Sequence, residues 1–434
     1  MTVPTLHPTS RGSAPAVPAT SGVAAVVAPY GTGKYYQAEV TTQGWGCVAV
    51  TPAQDLLPPI YRKGFDPRGY SHVVVHDGDL ESTAHALRAF GVSAVLAGTE
   101  IGVPLAEALA SRLGLPGNSP RTSSLRRDKG AMAAALHDAG IDAPHSLATD
   151  SLTEALAWAS LQPGTEFVLK PADSAGSDGV AFCDSPDQIR SAWHRLHQIP
   201  NAMGGSNTTL ILQERLPGTQ YVVNSVSAPD SSSVARHAFT EFWADHRIGH
   251  LYDRLDLLQP SRIIPRKLAT YTARVLDVLG ITTGPAHTEV MHVPNRGPVL
   301  IETGARPEGS YPPDALRAAT GSDHIRDAVH AAITGQPDRL SASHPQPFVT
   351  KVSLIAPRDG TLDPHLLRFL LTLPTVRGHV GALIGGGPVT RTVDLLTSPG
   401  RLVLAADNLT AVNQDYATIR SLEASGLYAG TSPR

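Results

Sequence analysis

Two acidic residues thirteen positions apart, Glu289 and Glu302, could bind a divalent cation. They lie in a stretch in which residues 294–297 form a turn-like sequence between short apolar runs of β-forming residues, a pattern that predicts a β-hairpin. If Pro294 faces Gly297, Glu289 lies directly opposite Glu302. Facing carboxylates repel each other in a bare sheet, whereas oxygen ligands suit Mg²⁺ or Mn²⁺. From the hairpin alone, a solvated face with two unrelated acids is the alternative.

Two lysines upstream could neutralise phosphate groups. Lys129 precedes an alanine-rich helical pattern, and Lys170 stands in an apolar strand-like run that ends at a proline. A loop of small residues follows at 172–179, so that its backbone amides could approach phosphates closely and the loop could close over them. Separated lysines neutralise phosphate oxygens as point charges, which is useful in handling a nucleotide triphosphate. The alternative for Lys170 is a solvated residue at a strand end.

The bulk properties narrow the class of protein. A chain of 434 residues is too long for one core and predicts two to four packed units. The formal charge of −3 argues against a nucleic-acid binder. No apolar run reaches membrane-spanning length, the N-terminus lacks a signal-peptide pattern, and two distant cysteines do not suggest a disulfide framework. We therefore expect a soluble cytoplasmic protein with neither nucleic acid nor membrane as its partner.

The order of the predicted elements indicates four segments. Residues 1–20 are rich in Pro, Ser, Thr and Ala, which predicts a disordered tail. Residues 21–120 alternate strand-like runs with plausible helices, which predicts a small parallel α/β sheet. Residues 121–335 hold the lysines and the glutamates, with a lid expected at about 148–212. Residues 345–430 are expected to form a final unit after a polar break.

In chain order, the two lysines, the small-residue loop, a strand and turn at 210–218, the facing glutamates and Arg306 resemble the ATP-grasp superfamily. More narrowly, the chain resembles the carboxylate–amine ligases of the L-amino-acid ligase (dipeptide synthase) type, over roughly residues 20–430. The resemblance implies an α/β (α+β) ATP-grasp fold with an N-terminal parallel α/β pre-ATP-grasp domain and a C-terminal subdomain. It also implies ATP and Mg²⁺ or Mn²⁺ as cofactors.

The resemblance further implies roles for individual residues. Lys129 and Lys170 look like the two lysines that bind the phosphates of ATP, and Lys170 also looks catalytic. Glu289 and Glu302 look like the metal ligands. Arg306 looks like the catalytic arginine that contacts the transferred phosphate and the substrate carboxylate. The remaining nucleotide contacts would come from Ser174, Gly176, Ser177 and Gly179 of the loop and from Gln213, Glu214, Leu216 and Gln220 beyond it.

The segment 213–216 looks like the hinge whose backbone meets adenine, with Leu216 against the ring. Two residues depart from the family's pattern. Gln220 stands where a ribose-contacting glutamate is often found, and it can still hydrogen-bond a hydroxyl group. Gly304 stands where many relatives have an asparagine as a further metal ligand. The metal would then depend on the two glutamates, the phosphates and water.

The function that the resemblance implies is that of an ATP-dependent ligase. The carboxylate of an amino acid would attack the γ-phosphorus of ATP to give an acyl phosphate and ADP, and an amine would then displace phosphate to form a peptide or amide bond. Such chemistry depends on positioning and charge neutralisation more than on a dedicated nucleophile. The alternatives are an ATP-grasp kinase that releases a phosphorylated product, a biotin-dependent carboxylase subunit, and a degenerate ATP-binding regulatory protein.

Several assignments stay open at the level of the sequence. Arg306 could instead cap the hairpin or pair with Glu308. His287 could contact substrate or serve as a packed structural residue, and the general base could be Glu241, His287 or a substrate phosphate. The segment 240–254 mixes aromatic and charged residues, which suits either a substrate pocket or an exposed loop. A homodimer is expected only because dimers are common in the family.

Overall fold

The computed structural model describes residues 21–62, 64–162, 164–172, 178–201, 204–229, 235–337, 348–381 and 383–429. The expected tail at 1–20 lies outside the described residues, and so do residues 173–177 of the small-residue loop, which include the predicted contacts Ser174, Gly176 and Ser177. The described part of the chain contains one sheet of eight strands, two of four and one of three. Three of these sheets matter for the site.

The N-terminal segment forms a parallel sheet flanked by helices. Its elements are β1 (Val23–Val27), α1 (Tyr36–Thr42), β2 (Gly46–Pro52), β3 (His72–His76), α2 (Leu80–Ala89), β4 (Val92–Ala97) and α3 (Val103–Leu113). All pairings in the order β3-β2-β1-β4 are parallel, as the alternation of strands and helices predicted. Residues 24–27 of the central strand β1 are fully buried, because helices cover both faces of a parallel sheet.

A second, antiparallel sheet follows, and we call its four strands the cover sheet. The elements of this region are α4 (Lys129–Asp138), β5 (Ser146–Thr149), α5 (Leu152–Ser160), β6 (Phe167–Pro171), β7 (Ala181–Cys183), α6 (Pro186–Leu196) and β8 (Leu210–Glu214). The strand order is β5-β8-β6-β7. Leu169, Trp193 and Leu212 pack together between the sheet and its helices. Side chains alternate along a strand, so Val168 and Lys170 of β6 face the opposite side.

The central sheet carries the two glutamates. Its first elements are β9 (Thr219–Pro229), β10 (Ala235–Ile248), β11 (Leu251–Leu257), α7 (Ile263–Val278), β12 (Gly284–Val293) and β13 (Gly297–Gly304). The strands pair in the antiparallel order β13-β12-β9-β10-β11. The segment 240–254 lies in the hairpin of β10 and β11, and the exposed-loop alternative for it is wrong. Phe242 and Trp243 explain this outcome, because both are buried in the core.

The C-terminal segment extends the central sheet. Its elements are α8 (Pro313–Thr320), α9 (His324–Thr334), β14 (Phe348–Ser353), β15 (Gly360–Leu362), α10 (Pro364–Leu371), β16 (Val376–Val380), β17 (Pro388–Val389), β18 (Arg401–Ala406), α11 (Leu409–Ser425) and β19 (Tyr428–Ala429). Strands β14, β18 and β16 continue the sheet beyond β11, whereas β17, β15 and β19 form the small sheet. Within the described ranges, no helix is long and apolar enough to cross a membrane. The domain boundaries stay predictions.

Candidate active site

The facing glutamates are present, but the hairpin reaches that arrangement in an unexpected way. Val293, not Pro294, pairs with Gly297, so the predicted turn pairing is wrong by one residue. A bulge then places one extra residue, Ile301, in β13 between the pair formed by Leu300 and the pair formed by Glu302. The bulge restores the predicted register, and Glu289 lies directly opposite Glu302.

Two lysines neutralise this carboxylate pair. The Lys129 Nζ lies 3.2 Å from the Glu302 Oε2. Lys129 is the first residue of α4, and Asp128 is the N-cap of that helix. Burial, with the nearby charge of Lys129, lowers the pKa of Lys170 to about 8 against the opposing effect of Glu302. Burial alone would raise the pKa of Glu302, but Lys129, Lys170 and Arg306 together lower it to about 2. Glu302 is therefore ionised at neutral pH.

Glu289 is surrounded by polar groups from three strands of the central sheet. The Gln220 Nε2 on β9 donates a hydrogen bond of 2.7 Å to the Glu289 Oε2. The Arg247 Nη2 on β10 lies 4.0 Å from the same oxygen, and the His287 Nε2 on β12 lies 3.8 Å from the Oε1. Arg247 was not predicted as a site residue, although it lies in the segment 240–254.

Arg247 is held in place by its own hairpin. Its guanidinium group donates to the Asp245 carboxylate at 2.8 and 2.9 Å, and its carbon Cζ lies 3.6 Å from the centre of the Tyr252 ring. Burial raises the pKa of Asp245 to about 6, although Arg247 opposes this shift. The alternation of Asp245 and Arg247 along one strand face is the signal that could have found this pair.

A cleft of about 1360 Å³ lies between the cover sheet and the central sheet. Four of its lining residues are the predicted charged residues Lys129, Lys170, Glu289 and Glu302. Five more are the predicted nucleotide contacts Gly179, Gln213, Glu214, Leu216 and Gln220. Apolar side chains, including Phe182, Met291 and Ile301, complete the walls. A cleft that combines apolar walls with two lysines and two carboxylates can accept a planar base together with charged phosphates.

Arg306 does not line this cleft. Its Nε donates to the Glu100 Oε2 at 2.8 Å, and its Nη1 donates to the Pro307 carbonyl at 2.9 Å. The alternative pairing of Arg306 with Glu308 is wrong, because Glu308 is bound by Lys351. A Cβ on Gly304 would lie 2.9 Å from the Glu100 Oε2, so Glu100 fills the space in which a side chain at 304 would begin. Sequence reasoning did not find Glu100.

Glu241 and His287 belong to a buried polar network beside the cleft. The Asn224 Nδ2 donates to Glu241 at 2.6 Å and to Glu308 at 2.9 Å, and the Asn224 Oδ1 lies 2.9 Å from the His287 Nδ1. Burial raises the pKa of Glu241, and Lys351 opposes this shift. Neither Glu241 nor His287 lines the cleft. Their role toward substrate stays a prediction.

The Lys351–Glu308 pair anchors that network. The Lys351 Nζ donates to both carboxylate oxygens of Glu308 at 2.7 Å, and the Arg401 Nη1 lies 3.2 Å from one of them. Burial raises the pKa of Glu308, but Lys351 and its other neighbours outweigh burial and lower it to about 2. Burial lowers the pKa of Lys351 against the effect of Glu308. We assign the pair as charged, because an ammonium group that donates to both carboxylate oxygens stabilises the ionised form.

Comparison with known proteins gives both a sequence relative and structural neighbours. The chain is 29% identical to dapdiamide A synthase of Enterobacter agglomerans over 377 aligned residues. The alignment covers 82% of this chain and 85% of that synthase. The L-amino acid ligase from Bacillus licheniformis matches with a TM-score of 0.71 at 14% identity, covering 93% of this chain and 98% of that one. No protein-family model matches the chain.

A third match comes from a structure with a bound nucleotide. The carboxyaminoimidazole ribonucleotide synthase from Aspergillus clavatus, complexed with ATP, has a TM-score of 0.70 at 14% identity and covers 93% of this chain and 99% of that one. The structural matches confirm the predicted α/β ATP-grasp fold. The chain is also similar in sequence to dapdiamide A synthase over most of its length, which agrees with the narrower resemblance to carboxylate–amine ligases.

Proposed function

We propose that the protein activates the carboxylate of an amino acid with ATP and couples it to the amine of a second small molecule. The observation that carries this proposal is the cleft in which Lys129 and Lys170 meet the facing Glu289 and Glu302. The names of two matched proteins, dapdiamide A synthase and L-amino acid ligase, support amino acids as the substrate class.

The residues present suit a magnesium or manganese ion. Glu289 and Glu302 supply only oxygen ligands, and Glu302 is ionised at neutral pH because its pKa is lowered to about 2, an effect in which burial is outweighed by the lysines and Arg306. No cluster of three or more His, Cys, Asp or Glu suited to a metal exists among the described residues. Mg²⁺ is commonly bound by one or two carboxylates together with substrate phosphates and water, so two glutamates are sufficient. When bound, the cation would neutralise charge on the phosphates.

The nucleotide would lie along the same cleft. Lys129 and Lys170, which line the cleft, would contact its phosphates, and Arg247 would offer a further positive charge beside Glu289. Adenine would be contacted at the end of β8 by Gln213 and Glu214, and just beyond it by Leu216. Gly179, which precedes β7, would supply a further nucleotide contact. The Gln220 side chain donates one hydrogen bond to Glu289, and its carbonyl oxygen can accept a hydrogen bond from a ribose hydroxyl group.

The reaction would proceed in two steps. In the first, a carboxylate oxygen bonds to the γ-phosphorus while the bond from that phosphorus to the ADP oxygen breaks. In the second, the amine nitrogen bonds to the acyl carbon, phosphate leaves with the electron pair, and the nitrogen loses a proton. Lys170 would stabilise charge on the transferred phosphate. Arg306 lies outside the cleft lining, but its charge lowers the pKa of Glu302, and it would bind the carboxylate and the transferred phosphate after exchanging its present partner, Glu100. The cover sheet would exclude water from the acyl phosphate.

A panel of amino acids, offered singly and in pairs, tests this proposal. We expect ADP and phosphate to form in equal amounts with a product whose mass is that of two substrates minus water. A product that gains only a phosphate group would favour the kinase alternative, and ATP binding without turnover over a broad panel would favour a regulatory protein. Glu302→Ala should abolish turnover in a folded protein, whereas Glu81→Ala, which changes an exposed glutamate on α2, should not. An active Glu302→Ala protein would contradict the metal assignment.

The remaining expectations follow from the same proposal. Amino-acid ligation from ATP is compatible with the predicted cytoplasmic location. A homodimer stays a prediction, which the mass of the purified protein in solution would test. Glu241, His287 and the substrate phosphate remain the candidates for the general base. Because Glu241 and His287 are hydrogen-bonded to Asn224, the phosphate is the candidate that needs no rearrangement of the buried network.

A further inference from the structure

The cover sheet is joined to the rest of the protein by two connections. The incoming connection, residues 139–145, runs from α4 to β5, and the outgoing connection, residues 215–218, runs from β8 to β9. The two are adjacent, because His145 and Glu214 exchange two hydrogen bonds of 2.9 Å, from the Glu214 amide to the His145 carbonyl and from the His145 amide to the Glu214 Oε1. Any change in the angle of the cover sheet must therefore occur at this one place.

Arg296 lies in the turn between β12 and β13, the hairpin that carries Glu289 and Glu302 and that we call the carboxylate hairpin. Arg296 binds the incoming connection and also Glu214, the residue that precedes the outgoing connection. Its Nε and Nη2 donate to the two oxygens of Asp142 at 2.7 and 2.8 Å, and its Nη2 also donates to the Ala143 carbonyl at 3.0 Å. Its Nη1 donates to the Glu214 Oε1 at 2.9 Å. The Arg296 side chain is three-quarters buried. A forked guanidinium group thus joins the hairpin turn to the incoming connection and to the last residue of β8.

Two further contacts hold the same connections on the same hairpin. The Tyr271 hydroxyl on α7 donates to the Asp142 carbonyl at 2.6 Å and accepts from the Leu300 amide on β13 at 2.7 Å. In the outgoing connection, Gly218 has a φ of +159°, and a Cβ there would lie only 2.3 Å from the His292 carbonyl oxygen on β12. Both connections are therefore packed directly against the hairpin that carries Glu289 and Glu302.

We propose that Arg296 and Tyr271 form a clasp that sets the position of the cover sheet relative to the carboxylate hairpin. They are positioning residues, since neither lines the cleft. Lys170 and Gln213 are on the cover sheet and the two glutamates are on the hairpin, so the clasp fixes how nucleotide contacts from one side meet carboxylates from the other. Misplacement of reacting groups by about 1 Å can reduce a rate by about a hundredfold. The inference rests on the proposed nucleotide site.

The test compares clasp variants with a matched surface variant. Arg296→Ala removes the fork, Arg296→Lys keeps its charge, and Tyr271→Phe removes only the hydroxyl group. Arg190→Ala is the control, because Arg190 also pairs with an aspartate, on the exposed side of helix α6 next to the cover sheet. For each protein, the measurements are the dissociation constant of a non-hydrolysable ATP analogue, KM and kcat for ATP, the ADP formed per product molecule, and the thermal midpoint.

We expect Arg296→Ala to weaken binding of the analogue by roughly tenfold and to raise the ADP formed per product, because a displaced cover sheet admits water to the acyl phosphate. Arg296→Lys and Tyr271→Phe should show smaller changes in the same direction, and Arg190→Ala none. If the thermal midpoint falls while nucleotide binding and the ADP-to-product ratio match those of Arg190→Ala, the clasp is merely structural and the inference is overturned.

Two other results are also decisive. If Arg296→Ala does not fold, Arg296→Lys and Tyr271→Phe carry the test, and normal binding and coupling in both would overturn the inference. If the unaltered protein does not bind the analogue, the proposed nucleotide site itself is wrong. Analogue binding is measured without amino-acid substrates, so a wrong substrate class leaves the test of the clasp intact.

Discussion

Replacing Glu302 with glutamine tests what holds the carboxylate pair together when no cation is bound. Glu302 faces Glu289 across the hairpin, a pairing that would destabilise a bare sheet. The Lys129 Nζ lies 3.2 Å from a Glu302 oxygen, and Lys170 adds a second positive charge. If these lysines stabilise the pair, Glu302→Gln should destabilise the metal-free protein, although it also removes the repulsion between the glutamates.

The lowered pKa of Glu302 sets the size of this effect. Burial works against ionisation, yet the surrounding cations lower the pKa from 4.5 to about 2. Since one pKa unit corresponds to about 1.4 kcal/mol, the ionised carboxylate stabilises the fold by at most about 3.5 kcal/mol at pH 7. The folded pKa lies below the unfolded one, so this stability is present above about pH 4.5 and is lost as the pH falls towards 2. About 2 kcal/mol should remain at pH 3.5.

Urea unfolding in EDTA, at pH 7 and at pH 3.5, measures the difference between the unaltered protein and Glu302→Gln. The control is Glu81→Gln, which changes a glutamate that pairs with Arg112 on the exposed surface and should alter stability little. The reasoning is refuted if Glu302→Gln is as stable as the unaltered protein, or more stable, at pH 7. Repulsion between the glutamates would then outweigh the stabilisation by the lysines.

Three further predictions concern the cleft and the network beside it. Lys351→Met leaves the buried Glu308 with less counter-charge and should lower the free energy of unfolding by about 3–5 kcal/mol, whereas a loss below about 1 kcal/mol would contradict a charged pair. Gln220→Glu places a third carboxylate in the site, where the Gln220 Nε2 now lies 2.7 Å from Glu289, so the urea midpoint should fall in EDTA and recover with Mg²⁺; an unchanged midpoint in EDTA would count against this. Burial lowers the pKa of Lys170 to about 8, so the dissociation constant of ATP should rise by up to about tenfold per pH unit above that value. Lys170→Met should remove this dependence, and the same pH profile in both proteins would refute it.

The hairpin shows how far local sequence rules extend. The turn residues and the flanking apolar runs predicted the hairpin, and the pairing of Glu289 with Glu302 is confirmed. The assumed turn was one residue out of register, and a bulge at Ile301 compensates for it. A bulge depends on how the strand packs against its neighbours, here β9 on the other side of β12, so the turn sequence alone could not reveal it. The correct pair was therefore reached through an incorrect turn.

Residues that act across the fold were the hardest to predict. Arg247 stands near Glu289 only because β10 pairs with β9 and β9 pairs with β12, two contacts over long sequence separations. Glu100 contacts Arg306 from the turn that follows β4, 206 residues earlier in the chain. By contrast, the charged residues Lys129 and Lys170 were found from their order along the chain. The order of residues along the chain predicted which charged residues line the cleft. The pairing of distant strands determines which other residues contact them.

The central claim is that a carboxylate is activated by transfer of the γ-phosphoryl group, and isotope transfer tests it most directly. The amino acid that supports turnover is labelled with ¹⁸O in its carboxylate, and the released phosphate is examined by mass spectrometry. An acyl phosphate keeps one carboxylate oxygen on phosphorus when the amine displaces phosphate, so we predict one ¹⁸O atom in phosphate for each amide bond formed. Unlabelled phosphate alongside the amide product, or ¹⁸O found in AMP, would contradict the claim.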